Sequence, residues 1–375
     1  MQPSKRPRVG VDFHVADGIY QGSRTHLIEL ISSVIRLSSD LDFFLFLDNP
    51  ASLPTLSDAF SLPNAFGVRM PSRGAAQRLL WQLPRLSRKL DLAILHTQYV
   101  LPAFVGRKRV VTIHDVLFET HSQYFRPSFV ARSRLFVRYA ARHADQVITV
   151  SEFSKHEIER VYGVAPSRIR VAYNGVDFDR FSRPENDEPI LQRRRLEAGA
   201  YLLSVGRLEP RKNQRTLVEA FAQLNSPEDI LVLVGQRDFW FQDVFEAIAK
   251  HKLSDRVRIY EDVSDAELPA LYRNAKAFVF PAVAEGFGMP VLEAMAAGAP
   301  VIATDCDAFR EIAAGAAVLT DTSNPASLSS AIAGVLRDPA RRDALRAAGT
   351  ARAKDFTWSR SADILRTSYL SVLAS

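Results

Sequence analysis

With 375 residues, 47% hydrophobic and 24% charged, the chain is long enough for two ordinary cores and too apolar for a disordered segment. A single cysteine, Cys306, excludes an intramolecular disulfide and a cysteine-clustered zinc site. The net charge of +6 is unevenly carried. Residues 1–183 hold 25 Lys and Arg against 16 Asp and Glu, whereas residues 184–375 hold 23 against 26, so the first half is the one expected to face something anionic. The basic start is followed by Asp12 and His14, which break any signal-peptide core, and no apolar run reaches membrane-spanning length. The expectation is a cytoplasmic protein.

Along the first half, short β-rich apolar runs predict strands at 9–13, 43–47, 92–95, 110–113, 146–150 and 169–172. Between the first two, residues 25–37 keep helical spacing through Leu27, Ile28, Leu30, Ile31, Val34 and Ile35. Residues 50–72, rich in Pro, Ser and Asn, read as an irregular connection. A polar stretch at 182–189 reads as a linker. Alternation then resumes, with strands expected at 201–205, 231–234, 257–260, 277–280, 301–303 and 317–319, and helices at 213–224, 265–274 and 290–297. This alternation predicts an α/β protein of two doubly wound parallel-sheet domains, 1–183 and 184–355, with an interdomain cleft. A C-terminal helix at 356–375 is expected to pack back on the N-terminal domain.

Parallel sheets bind ligands beyond the carboxyl ends of their strands. Asp12 and His14 lie there on the first strand, and His114-Asp115 on the run 110–113. A histidine in such a place also serves as a hydrogen-bonded structural residue, and Asp115 reads first as a cap of the next turn. In the second half, the strand 201–205 ends at Gly206 and the next helix begins near Lys212. Arg207 and Lys212 can therefore flank one anionic site, a fork donor and a point charge. Arg211 and Arg215 read as exposed helix-start charges. The strand 277–280 leads into Glu285-Gly286-Phe287-Gly288-Met289-Pro290, and the helix it opens stops at Gly298. A helix start after glycines offers unpaired N–H groups and a positive dipole end to electron-rich oxygens. Glu285 before that helix and Glu293 inside it can accept hydrogen bonds from two sets of hydroxyls. On spacing alone, an ordinary α/β loop, with one glutamate solvated and one packed against the helix, is the better reading of such a pair.

The whole string from Glu285 to Gly298 resembles, almost residue for residue, the donor-sugar motif of the retaining glycosyltransferases of family 4, which have the GT-B fold of two Rossmann-like domains. The resemblance implies that Glu285 contacts the transferred sugar and that the amides of Gly286, Phe287, Gly288 and Met289 support sugar and phosphate. Glu293 would hold the ribose. Gly206-Arg207 with Lys212 is similar to the family's G-R-x-x-x-x-K diphosphate clamp, and His114 matches a histidine beside the donor sugar. Gly22, with Gly18 and Arg24 near it, is the best match to a glycine-rich diphosphate loop, though the segment reads equally as a plain turn before a helix. Val263 falls in the segment beside the nucleotide base. There Glu261 replaces a frequent glycine, which leaves the base open, and Arg310-Glu311 replaces a frequent Pro-Glu pair. The segments around Ser151 and Asn174 resemble family scaffold, with Asn174 near the cleft.

The function expected from this resemblance is transfer of a sugar from a nucleoside diphosphate sugar to an acceptor hydroxyl with retention of configuration, without an enzyme nucleophile. The acceptor would be a sugar or a lipid-linked saccharide in polysaccharide, lipopolysaccharide or glycolipid assembly. The resemblance inclines towards GDP-mannose. No cofactor is expected. Two aspartate pairs, Asp177 with Asp179 and Asp305 with Asp307, have metal-binding spacing but accompany no motif of a metal-dependent transferase, so no metal is expected either. A sugar-nucleotide epimerase or a phosphorylase on the same scaffold is the nearest alternative. A nucleic-acid-binding module suits the basic charge but leaves Glu285 and Glu293 unexplained.

One feature stands apart from the motifs. Arg134, Arg138 and Arg142 recur every four residues, and Arg73, Arg78, Trp81, Arg85, Arg88 and Lys89 form an earlier basic stretch. These read either as solvated faces or as attachment to an anionic membrane surface at its inner face.

Overall fold

The computed structural model describes residues 6–18, 22–71, 74–102, 106–224 and 226–375. Residues 1–5 of the basic start, residues 19–21 of the loop before the first helix, and Arg73 lie outside the described residues. The chain divides into two compact units, Met1–Gly175 with Thr357–Ser375, and Val176–Phe356.

Among the described residues the first unit holds a seven-stranded parallel sheet in the order β3-β2-β1-β4-β5-β6-β7. Its strands are β1 (Arg8–Asp12), β2 (Asp42–Leu47), β3 (Ala65–Arg69), β4 (Ile94–Gln98), β5 (Lys108–Thr112), β6 (Gln146–Thr149) and β7 (Ile169–Val171). The central strands are buried on both faces, their polar residues His96, Thr97, Gln98, Gln146 and Thr149 along with their apolar ones. The Gly22–Leu37 helix buries Leu27, Ile28, Leu30, Ile31, Val34 and Ile35, the face its spacing predicts. β3 corrects the reading of 50–72 as irregular. It pairs with β2 from the edge of the sheet, and its Phe66 is exposed while stacking on Phe44, so it lacks the apolar run of an inner strand. The Trp358–Ala374 helix packs against Gly22–Leu37, and its buried Tyr369 hydroxyl lies 2.6 Å from His96 Nδ1.

The second unit has a six-stranded parallel sheet among the described residues, ordered β10-β9-β8-β11-β12-β13. These are β8 (Tyr201–Val205), β9 (Ile230–Val234), β10 (Val257–Tyr260), β11 (Ala277–Phe280), β12 (Val301–Thr304) and β13 (Val318–Thr320). The polar stretch expected as a linker at 183/184 belongs inside this unit, and the division of the chain comes earlier, after Gly175. Asp187 accounts for this: its carboxylate accepts from Arg273 at 2.5 Å and from Asn274 at 2.8 Å, tying the stretch to the Leu268–Arg273 helix. In each sheet the strand order reverses once, between β1 and β4 and between β8 and β11. Those switch points are where an open α/β sheet leaves a crevice for a ligand.

Candidate active site

The β8/β11 switch point gathers most of the motif residues of the second unit. Beyond β8, a short helical turn at Pro210–Lys212 ends on Asn213, which adopts a left-handed conformation (φ 55°) before the Gln214–Ala222 helix. That turn aims two cations at one carboxylate. Arg211 Nη1 donates to Glu285 Oε1 at 2.7 Å, and Lys212 Nζ donates to the same oxygen at 2.5 Å. Arg211 also donates to the Ala284 carbonyl at 2.8 Å and to Glu209 at 2.7 Å. The expectation of an exposed Arg211 is thus overturned, since its side chain is only 14% exposed. The carbonyl and two carboxylates give the buried guanidinium charged and polar partners in place of water. Arg215 is exposed, as read.

Burial by itself would raise the Glu285 carboxyl, but Arg211 and Lys212 outweigh it and hold the group below the usual glutamate range. Burial also lowers Lys212 from the ordinary lysine value, against the pull of Glu285, and the ammonium packs 5.0 Å from the centre of the Phe280 ring. Arg207 does not share this partner. Its Nη1 donates to Asp238 Oδ2 at 2.5 Å on the loop after β9.

From Glu285 the chain passes through Gly286 and Phe287 to Gly288, which precedes the Met289–Ala296 helix with φ 96°. A Cβ at Gly288 would sit 2.4 Å from Phe309 Cε1, so both backbone conformation and space demand glycine. Phe287 is buried against Phe356, which leaves its backbone rather than its ring to meet a ligand. Within the helix, Glu293 Oε2 accepts from the Tyr272 hydroxyl at 2.9 Å. Burial lifts the Glu293 carboxyl to about 7, opposed by that hydrogen bond. Tyr272 was not singled out in the sequence, because a tyrosine on an apolar helix face signals core. Val263 lies on the loop between β10 and Leu268–Arg273, pinned by Glu267, which accepts from Ser264 N at 3.0 Å and Arg194 Nη2 at 3.0 Å.

In the first unit, His114 follows β5 and its Nε2 lies 2.9 Å from Gln98 Oε1 at the end of β4. His26, from the Gly22–Leu37 helix, packs edge-to-face on His114 with ring centres 4.6 Å apart. Burial, then the proximity of His26 and His96, holds His114 well below the ordinary histidine value, so it is neutral at pH 7. Asp115 accepts from Leu117 N at 3.1 Å, the capping role. Asp12 is buried and held by His14 Nδ1 at 2.9 Å and Arg78 Nε at 3.3 Å, so Arg78 turns inward instead of joining a basic surface. Gly22 opens its helix and is exposed, and Arg24 Nε donates to the Ala16 carbonyl at 3.3 Å.

The aspartate pairs have local partners. Asp177 caps the Phe178–Ser182 helix, Asp179 pairs with Arg183, and Asp305 and Asp307 both bind Arg310. Among the described residues no group of three or more His, Cys, Asp or Glu side chains is arranged to hold a metal ion, and no helix is long and apolar enough to cross a membrane.

Two family models match the chain, one described as Glycosyltransferase Family 4 over residues 20–180 and one as Glycosyl transferases group 1 over residues 187–352. The O-antigen chain mannosyltransferase B of Escherichia coli is 32% identical over 302 residues, covering 78% of this chain and 79% of the relative. The chain belongs to the group 1 and family 4 glycosyltransferases. A second relative of this glycosyltransferase, the O-antigen chain mannosyltransferase RfbU of Salmonella typhimurium, is 28% identical over 243 residues, 65% of this chain and 64% of that one. In fold the glycosyltransferase resembles the sucrose-phosphate synthase of Thermosynechococcus elongatus, with a TM-score of 0.79 at 20% identity over 98% of this chain and 100% of that one. Two parallel-sheet α/β domains of this kind make the GT-B fold.

Proposed function

We propose that this glycosyltransferase moves a mannosyl group from GDP-mannose to a hydroxyl of a saccharide acceptor, with retention of anomeric configuration, in cell-surface polysaccharide assembly. The observation that carries the reading is the pairing of Arg211 and Lys212 with Glu285 at the head of the Met289–Ala296 helix. A diphosphate arriving there competes with Glu285 for Lys212. Arg211, anchored by Glu209 and Ala284, keeps Glu285 in place, and the carboxylate is then available to sugar hydroxyls. The backbone N–H groups of Gly286, Phe287, Gly288 and Met289 and the helix dipole add to the charge facing the phosphates. Glu293 accepts from the ribose.

In the proposed reaction the bond from the anomeric carbon to the diphosphate oxygen breaks as the acceptor oxygen bonds to the same face of that carbon. The acceptor proton passes to the departing phosphate oxygen, so no enzyme nucleophile is needed. Positive charge grows on the sugar and negative charge on the diphosphate. Arg207 and Lys212 stabilise the latter as fixed charges, without a metal ion. His114, neutral and held by Gln98, hydrogen-bonds the transferred sugar. Gly22 and Val263 complete the donor contacts, at the diphosphate and the base. The mannosyl assignment is supported by the names of the two O-antigen relatives.

The test is a panel of nucleoside diphosphate sugars offered with a lipid-linked saccharide acceptor, the product linkage being read by NMR. Transfer of mannose from GDP-mannose as an α-linkage is expected. Turnover of donor without an acceptor would mean an epimerase, and a requirement for free phosphate would mean a phosphorylase.

We also propose that the first unit attaches to an anionic membrane. Trp81 is 73% exposed and Leu135 67%, with Leu80 and Phe136 also exposed. Arg85, Arg88 and Lys89 near the first pair, and Arg132 near the second, are exposed too. Aromatic and aliphatic side chains set among cations suit the interface of an anionic bilayer. The three-arginine stripe on the Pro127–His143 helix contributes less than its spacing implies. Arg134 pairs with Glu119 at 2.8 Å, Arg138 lies over the Tyr162 ring, and Arg142 donates to the Tyr162 carbonyl at 2.9 Å.

A further inference from the structure

His26 is 2% exposed and belongs to none of the motifs. Its Nδ1 lies 2.6 Å from Asn174 Oδ1, and since that amide oxygen only accepts, Nδ1 carries the proton. Its Nε2 is then a bare lone pair, buried and without a hydrogen-bond partner among the described residues. A buried nitrogen left this way costs stability, which a purely structural position would avoid by using an apolar side chain. What the ring does touch is specific. It meets His114 edge-to-face with centres 4.6 Å apart and planes at 82°, and it meets the Trp358 ring at 6.0 Å.

Asn174 and Trp358 also have a particular place in the chain. The polypeptide leaves the first unit after Gly175 and re-enters it at Thr357. Gly175 packs so closely on this return that a Cβ would lie 2.4 Å from the Trp358 backbone nitrogen. His26 therefore joins the residues flanking both passages to the His114 ring.

We infer that His26 is a positioning residue for His114: the edge-to-face contact between the two rings fixes the plane of the His114 imidazole, and the bond of His26 to Asn174 fixes its own. The inference rests on the proposed role of His114 at the transferred sugar. Two substitutions separate ring from bond. His26→Phe keeps a ring against His114 and loses the Asn174 bond, whereas His26→Asn keeps an N–H near the Nδ1 position and loses the ring.

The experiment measures kcat and donor KM for both variants, for His114→Ala, and for His26→Asn combined with His114→Ala, with melting temperatures in parallel. Misplacing a reacting group by about 1 Å costs about 100-fold in rate, so His26→Asn is expected to lower kcat about 10- to 100-fold. Donor KM should be unchanged and His26→Phe should retain more activity. In the double variant His26→Asn should add nothing to the loss already caused by His114→Ala. Multiplying losses would overturn the inference, as would a His26→Phe variant worse than His26→Asn. Normal kcat in both His26 variants beside an impaired His114→Ala would remove His26 and leave the reading of His114 standing. A fully active His114→Ala would remove that reading itself. Should His26→Asn not fold, the ordering is read from His26→Phe and its combination with His114→Ala.

Discussion

Lys212 Nζ sits 2.5 Å from Glu285 Oε1, so the cation assigned to the diphosphate and the carboxylate assigned to the sugar neutralise each other before any donor arrives. Both residues are thereby held in place, and the charge that acts in the transition state needs no reorganisation beyond an exchange of partners. Arg211 keeps Glu285 from being left as an uncompensated buried charge during that exchange.

Replacing Lys212 or Arg207 by alanine is therefore expected to lower kcat about 100- to 1,000-fold, the usual cost of removing one preorganised donor at a developing anion. Steady-state kinetics on variants with unchanged melting temperature checks this, and near-normal rates would take both residues out of the mechanism.

Glu293 predicts a pH dependence. Its carboxyl is raised to about 7, so in the unliganded protein it is protonated below that pH and charged above it. A carboxylate accepts two ribose hydroxyls better than a carboxylic acid does, so donor affinity should rise as pH increases from 6 to 8. An intact sugar nucleotide is the right ligand, because its doubly esterified diphosphate does not titrate in this range. Calorimetry should show the rise in the wild type and a flat profile in Glu293→Gln; matching profiles would free Glu293 from the ribose.

Activity is expected to persist in excess EDTA. Arg207, Lys212 and the start of the Met289–Ala296 helix supply the charge that a divalent ion gives other transferases. Loss of activity in chelator, restored by Mg²⁺ or Mn²⁺, would instead point back to the aspartate pairs.

Membrane attachment should depend on Trp81 and Leu135 as well as on charge. Replacing Leu80, Trp81, Leu135 and Phe136 by serine is expected to release the protein from anionic vesicles while leaving donor affinity unchanged. Arg85, Arg88, Lys89 and Arg132 should each contribute about 1 kcal/mol to vesicle binding at low salt, falling as salt rises. Co-sedimentation at two salt concentrations measures both effects, and equal binding of wild type and variant would make these surfaces merely solvated.

The strands at 201–205 and 277–280 were legible residue for residue, because an inner strand buried on both faces is largely apolar and needs no knowledge of its neighbours; the edge strand at 257–260, half-buried and carrying Arg258, coincides with its expected range as well. The Gly22–Leu37 helix was legible from its spacing, and the Glu285-to-Gly298 string from its residues. β3 was not, since an edge strand with an exposed Phe66 carries a weak pattern. Tertiary structure alone decided which charges turn inward. Arg211 and Arg78 look like surface arginines until Glu285 and Asp12 are brought to them, and Asp187 looks like linker until Arg273 meets it. His26 and His114 become neighbours only when a helix after β1 packs beside the end of β5. Periodicity is a property of residues within a turn or two of each other and is written in the sequence. The partner of a buried charge comes from distant parts of the chain, and only the folded backbone brings the two together.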